Sequence, residues 1–292
     1  MKTMIKTSDT WPVAKGGNSR PSFPFSIRNR QSPIGNSTAF TIVEMLVVIA
    51  IIAILAGLLL PVLAGAHKAA LKKQAALEIS QIVTAIQQYD SVYGRFPVSA
   101  AAQAAAAKGN GDFTYGAYFQ QPSGSPYPLV LNHIYPMSND EVIAILMNFT
   151  NYPNNSARFT ANTNYQKNPQ QTLFLNAKMS AWDPSQPGPP VPGVGNDLVY
   201  RDPWGNPYVI TMDLNYDEQC QDAFYCLTMV SSPNPPANPT SGLNGLINPD
   251  GTPLNYRYHG KVMVWSAGPD GQIDPLKAAN VGANKDNIIS WQ

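Results

Sequence analysis

Glu44 is the one ionisable residue in the run FTIVEMLVVIAIIAILAGLLLPVLAGA, residues 40–66, and it stands four positions after Phe40. An apolar run of about 20 residues is long enough to cross a hydrocarbon core as a helix. Inserting an acid into such a run costs roughly 2.5 to 3.5 kcal/mol, so the carboxylate needs a partner. A cationic group in the same low-dielectric surroundings supplies one, because opposite charges attract there far more strongly than in water. An ionisable group in such a run is therefore a functional candidate whose burial something must offset.

Other reactive residue types are sparse. Cys220 and Cys226 are the only cysteines. In an oxidising compartment they are close enough in sequence to close a small disulfide loop, or they face opposite ways as thiols; a zinc site would need two further ligands. Asp213, Asn215 and Asp217 copy the first alternating oxygens of an EF-hand, but Glu218 stands where that loop needs Gly and Phe224 where it needs Glu, so an EF-hand is rejected. The sequence has no phosphate-binding glycine loop with Lys, no HExxH and no GxSxG, and His67, His133 and His259 have no motif around them. No enzyme is expected. Trp182, Trp204, Trp265 and Trp291 read as core and turn packing.

The elements that position these residues follow from periodicity. Past Pro61, the residues Ala75, Ile79, Ile82, Ile86, Tyr89 and Tyr93 recur at steps of four and three, one stripe of an amphipathic helix. A single helix from Phe40 to Tyr93, roughly 80 Å long, is expected to end at Gly94, with Pro97 beyond. Gly57 and Pro61 weaken its apolar half. Residues 98–197 read as loop-rich, with an alanine patch from Ala100 to Ala107 that suits either a short helix or a loose loop, a short helix near Glu141–Phe149 begun by Asn139 or Asp140, a strand at Thr172–Leu175, and a Pro/Gly linker or surface loop from Asp183 to Gly195. Near the end, Asp202–Pro207 makes a turn leading into a strand at Tyr208–Met212, and Lys261–Ser266 makes a second strand. The expected fold class is α+β: a long N-terminal helix packed on a small C-terminal antiparallel sheet.

The arrangement at Phe40 resembles the N-terminal signature of type IV pilins and type II secretion pseudopilins. In that family a basic leader is cut before a Phe, the new amine is methylated, and a Glu is the fifth mature residue. Phe40 and Glu44 fall on those positions, Pro61 falls where pilins often carry a proline, and Ala39 stands where the family usually has Gly before the cut. The blocks DPWGNPY (202–208), SAGPDG (266–271) and KDNIISW (285–291) resemble the major pseudopilin in order and wording. The implied division is a cleaved cytoplasmic leader 1–39, the pilin helix 40–97, an inserted region 98–197 and a β-rich head 198–292. The resemblance further implies that the Phe40 amine of one subunit pairs with Glu44 of a neighbour. It also implies a structural Ca²⁺ in the C-terminal loop, with Asp270 and Asp286 on the family's acidic blocks and Ser266 and Asp274 as nearby oxygen donors.

The implied function is that of a structural subunit of a type II secretion pseudopilus or related filament. Its partners would be prepilin peptidase, other pseudopilins, an inner-membrane secretion platform with a cytoplasmic ATPase, and membrane lipid. The implied location is the bacterial inner membrane, single-pass, N-terminus cytoplasmic and head periplasmic. Lys2, Lys6, Lys15, Arg20, Arg28 and Arg30 against Asp9 make the leader basic; removing them from the chain's 19 basic and 18 acidic residues leaves 13 and 17. A mildly acidic remainder argues against nucleic-acid binding. Two other readings stay open: a surface pilin for adhesion or DNA uptake, and a membrane-anchored periplasmic enzyme or binding protein.

Overall fold

The computed structural model describes residues 40–109, 111–116, 118–120, 126–128 and 138–291, so the leader and the cleavage-site residue Ala39 lie outside the described residues. The chain divides into two compact units, Met1–Ala56 and Gly57–Gln292.

Helix α1 runs from Ile42 to Tyr93. It stops where expected: Gly94 adopts φ +61°, the left-handed conformation a glycine takes without penalty, and its N–H donates to the Asp90 carbonyl at 2.7 Å. Pro61 lies inside the helix. Having no N–H, it leaves the Gly57 carbonyl without its helical donor, a weak point the rest of the helix spans. In the first unit, the large apolar side chains between Ile42 and Leu55 are exposed. Within the second unit the character of α1 changes: Ala75, Ile79, Ile82, Ala85, Ile86 and Tyr89 are buried and Tyr93 half-buried, the stripe the periodicity predicts.

Among the described residues three shorter α-helices follow, α2 (Ala100–Ala106), α3 (Asp140–Leu146) and α4 (Thr228–Ser231). The strands are β1 (Asp112–Tyr115), β2 (Tyr118–Gln120), β3 (Pro126–Pro128), β4 (Asn151–Tyr152), β5 (Asn155–Phe159), β6 (Gly193–Val194), β7 (Tyr200–Arg201), β8 (Val209–Asp213), β9 (Gln219–Cys220), β10 (Tyr258–His259), β11 (Val262–Ser266) and β12 (Ile288–Ile289). The main sheet is antiparallel with order β1-β8-β11-β12; Thr114 faces Thr211, Val264 faces Ile210 and Trp265 faces Ile289. The fold is therefore α+β, as expected.

All five residues of β8 and of β11 are buried, because the sheet separates two cores. Side chains alternate across a strand. Ile210, Met212, Val262 and Val264 therefore face the core that holds Ile79, Ile82, Ile86 and Tyr89 of α1. Val209, Met263 and Trp265 face a second, aromatic core with Phe224, Tyr225 and Trp291. Phe224, Tyr225, Trp265 and Trp291 touch in edge and tilted geometries with centroids 5.0–5.5 Å apart.

The structure refines the reading of 98–197, and of the two forms open to the alanine patch it takes the helix. The alanine patch is a helix, started by the Ser99 hydroxyl accepting the Ala102 N–H at 3.1 Å. The region also supplies β1, an edge strand of the main sheet, and five consecutive buried residues of α3. The helix α3 starts near the expected place but ends at Leu146, and Asn139 does not cap it. Instead the buried Asn139 amide accepts the Tyr200 N–H and donates to the Tyr200 and Tyr208 carbonyls, pinning β7 beside the start of β8. The strand expected at Thr172–Leu175 does not form: the N–H groups of Phe174 and Leu175 both donate to the Leu146 carbonyl, satisfying the end of α3.

Candidate functional site

The start of α1 is organised by its own sequence. The Thr41 hydroxyl accepts the Glu44 N–H at 3.2 Å, while Oε2 of Glu44 accepts the Thr41 N–H and the Thr41 hydroxyl proton, each at 2.8 Å. This is a reciprocal capping box, in which two otherwise orphaned N–H groups of the first turn are satisfied. The Thr-x-x-Glu spacing of Thr41 and Glu44 is the sequence signature of such a box. All these bonds converge on Oε2. Oε1 takes no part in the cap and remains able to accept from a cation. Phe40, the expected new N-terminus, is exposed beside this turn.

In the second unit, the C-terminal motif blocks prove to be one interlocked structure. Asp202 is fully buried, and its Oδ1 accepts the Trp204 and Asn206 N–H groups at 2.9 Å each, shaping the turn. Its Oδ2 accepts the Ser266 hydroxyl at 2.6 Å and the Asn206 amide at 3.2 Å. The Ser266 oxygen in turn accepts the Gly268 N–H at 2.9 Å, and the Asn206 amide also donates to the Gly268 carbonyl. The first block thus fastens to the second. Gly268 has φ +70°, and a Cβ there would lie 2.3 Å from the Asp286 carbonyl oxygen, so the third block packs against the second where only glycine fits.

This interlock decides how the expected calcium donors stand. Ser266 is committed to Asp202 and Gly268. Asp270 is exposed, and its Oδ1 accepts the Gln272 N–H. Asp274 has Oδ1 on the Leu276 N–H at 3.0 Å and Oδ2 3.5 Å from the Lys277 ammonium. Oδ1 of Asp286 is enclosed without a hydrogen-bond partner, and burial raises the pKa of this carboxyl, helped by the charge of Asp270 and opposed by Lys72 and Lys68 of α1. Asp270 and Asp286 are brought within electrostatic reach; Ser266 and Asp274 are drawn into other bonds. Among the described residues, no three His, Cys, Asp or Glu side chains form a group placed to hold a metal ion. The four donors as they stand do not make a calcium shell.

Cys220 and Cys226 are separate thiols, both buried. The Cys226 thiol donates to the Ala223 carbonyl, and burial raises the pKa of both groups, which makes them unreactive. The acids of the rejected EF-hand have structural work: Asp213 accepts the N–H groups of Tyr216, Asp217 and Glu218 and closes the turn after β8.

The family model described as the prokaryotic N-terminal methylation motif matches residues 35–60. That motif, followed by a long apolar helix, fits the type IV pilin and pseudopilin family; it supports processing by prepilin peptidase and assembly with pilin-like proteins, and it suggests a structural rather than enzymatic role. No curated protein and no solved structure matches the chain. Among the described residues one helix, α1, is long and apolar enough to cross a membrane, which fits a single-pass, membrane-anchored protein.

Proposed function

We propose that this protein is a subunit of a type II secretion pseudopilus. It is cut between Ala39 and Phe40, methylated on the Phe40 amine, and built into a fibre whose core is the packed apolar segments of α1. The observation that carries this reading is the lone carboxylate of the apolar segment, held in the first helical turn within reach of the new N-terminus. Oε2 caps the helix of its own protomer, and Oε1 accepts the Phe40 ammonium of a neighbour. In the membrane or in the fibre, the exposed apolar side chains of α1 find lipid or sister helices. The head lies in the periplasm, and the energy for extraction comes from a cytoplasmic ATPase acting through the inner-membrane platform.

The order of the DPWGNPY, SAGPDG and KDNIISW blocks favours the pseudopilus over a surface pilus for adhesion or DNA uptake. Mass spectrometry of the protein purified from its membrane tests the processing step: N-methyl-Phe at residue 40 is expected, and a retained leader overturns it. Loss of protein export on deletion of the gene, with no long filaments of this subunit at the surface, separates the two fibre types.

A further inference from the structure

The loop between Asp274 and Asn284 is built like a cation cage, and an amide fills it. The Asn284 side chain is almost completely buried. Its Nδ2 lies 2.8 Å from the Asp274 carbonyl oxygen, 2.8 Å from that of Lys277 and 3.4 Å from that of Ala278, while its Oδ1 accepts the Asp274 N–H at 2.8 Å. Three backbone carbonyls converging on one buried point is an arrangement suited to a hard cation, which takes oxygens at about 2.3–2.6 Å. Here the point is occupied by a neutral nitrogen whose two hydrogens serve the two near carbonyls and share with the third.

We propose that Asn284 replaces a structural cation in this loop, so that the C-terminal region of this protein folds independently of calcium. Every candidate donor nearby is consistent with that substitution. Asp274 spends one carboxylate oxygen on the Leu276 N–H and holds the other toward Lys277. Ser266 belongs to Asp202. The charges of Lys72 and Lys68 oppose, without overcoming, the upward push of burial and of Asp270 on the Asp286 carboxyl. With the carbonyls tied down, Ala279 is buried and its N–H donates to the Val230 carbonyl at 2.8 Å, anchoring the loop to α4. A cation and the Asn284 amide cannot share the point, because the N–H hydrogens would face the ion.

The test uses the full processed chain in detergent, unfolded thermally in EDTA and in millimolar calcium. The wild type is expected to give the same Tm in both. Asn284→Ala, which takes the partner of the Lys277 carbonyl and of the Asp274 N–H and one of two donors from the Asp274 and Ala278 carbonyls, is expected to lower Tm by roughly 5–10 °C in both conditions. Asn284→Asp puts an anion where the donor was; it is expected to be destabilised in EDTA and restored by calcium, with half-saturation in the range of about 10⁻⁴ to 10⁻³ M. A saturable rise in the wild-type Tm with calcium overturns the proposal, and this comparison stands even where a variant fails to fold. An Asn284→Ala variant as stable as the wild type, or an Asn284→Asp variant that folds and ignores calcium, overturns it as well.

Discussion

Ser266→Ala removes a single oxygen from the junction of two motif blocks, and its cost can be worked out bond by bond. The hydroxyl donates to the buried Asp202 carboxylate at 2.6 Å and accepts the Gly268 N–H at 2.9 Å. A hydrogen bond to a charged group contributes roughly 1.5–3 kcal/mol and a neutral one about 0.5–1.5 kcal/mol, so the expected loss is about 3 kcal/mol. In a unit of this size that lowers Tm by about 6–12 °C. Water cannot easily replace the oxygen, since Ser266 and Asp202 are both fully buried. Thermal unfolding followed by near-ultraviolet circular dichroism reads the change directly, because Trp265 precedes Ser266 in β11. The matched control is Thr84→Ala, whose hydroxyl donates to the Ser80 carbonyl on an exposed turn of α1; its expected cost is below about 0.5 kcal/mol. Equal Tm values for the two variants would refute the argument that these blocks stand together because Asp202 binds Ser266.

Other substitutions probe separate links. Gly268→Ala should be more damaging than Ser266→Ala, since it adds a Cβ 2.3 Å from the Asp286 carbonyl at a left-handed backbone position; proteolytic sensitivity of the head measures it. Ile82→Ala, at a fully buried position of α1, should cost about 2–5 kcal/mol in thermal unfolding without altering N-terminal processing. Burial, together with the charges of Asp213 and Asp217, raises the Asp112 carboxyl to about 8 from its ordinary 3.8, against the Gln221 N–H and Arg257. A carboxyl raised in the folded state contributes stability below its unfolded pKa and loses it as pH climbs toward the folded value. Tm should therefore fall between about pH 4 and pH 8, and Asp112→Asn should flatten that decline. Glu44→Gln keeps an oxygen able to accept from Thr41 but removes the charge, so it should preserve helix capping and abolish fibre formation; fibres of normal abundance in electron micrographs would contradict the ion-pair reading.

What the sequence revealed tracks how local each signal is. The buried stripe of α1 and its end at Gly94 follow from a 3.6-residue period and one backbone angle, both readable within a few residues. The turn at Asp202–Pro207 was legible for the same reason. Asp112–Tyr115 was not: four residues beside Gly111 and Gly116 carry no distinctive pattern, and they become a strand only because Val209–Asp213 lies alongside. Asn139 looks like a helix cap in sequence, yet two distant carbonyls and an N–H outcompete the local N–H groups. The same kind of long-range competition acts on two of the expected calcium donors. Asp202, 64 positions before Ser266, claims that hydroxyl, and Asn284 claims the carbonyls around Asp274. Thr41 was legible through its spacing from Glu44, but one role for that acid hid the other.

The ties between the lower part of α1 and its surroundings have a mechanical meaning. Glu78 accepts the Tyr208 hydroxyl at 2.6 Å, Asp90 pairs with Lys261 at 3.4 Å, and the Tyr89 and Tyr93 hydroxyls donate to the Lys167 carbonyl and to Asn168. Greasy surfaces resist separation but slide past one another cheaply, whereas directional bonds fix one axial setting. Shifting this stretch by one helical turn would set Ile82 opposite the Tyr208 hydroxyl and leave that group wanting an acceptor. A load applied along this stretch of α1 would thereby reach the sheet without slippage.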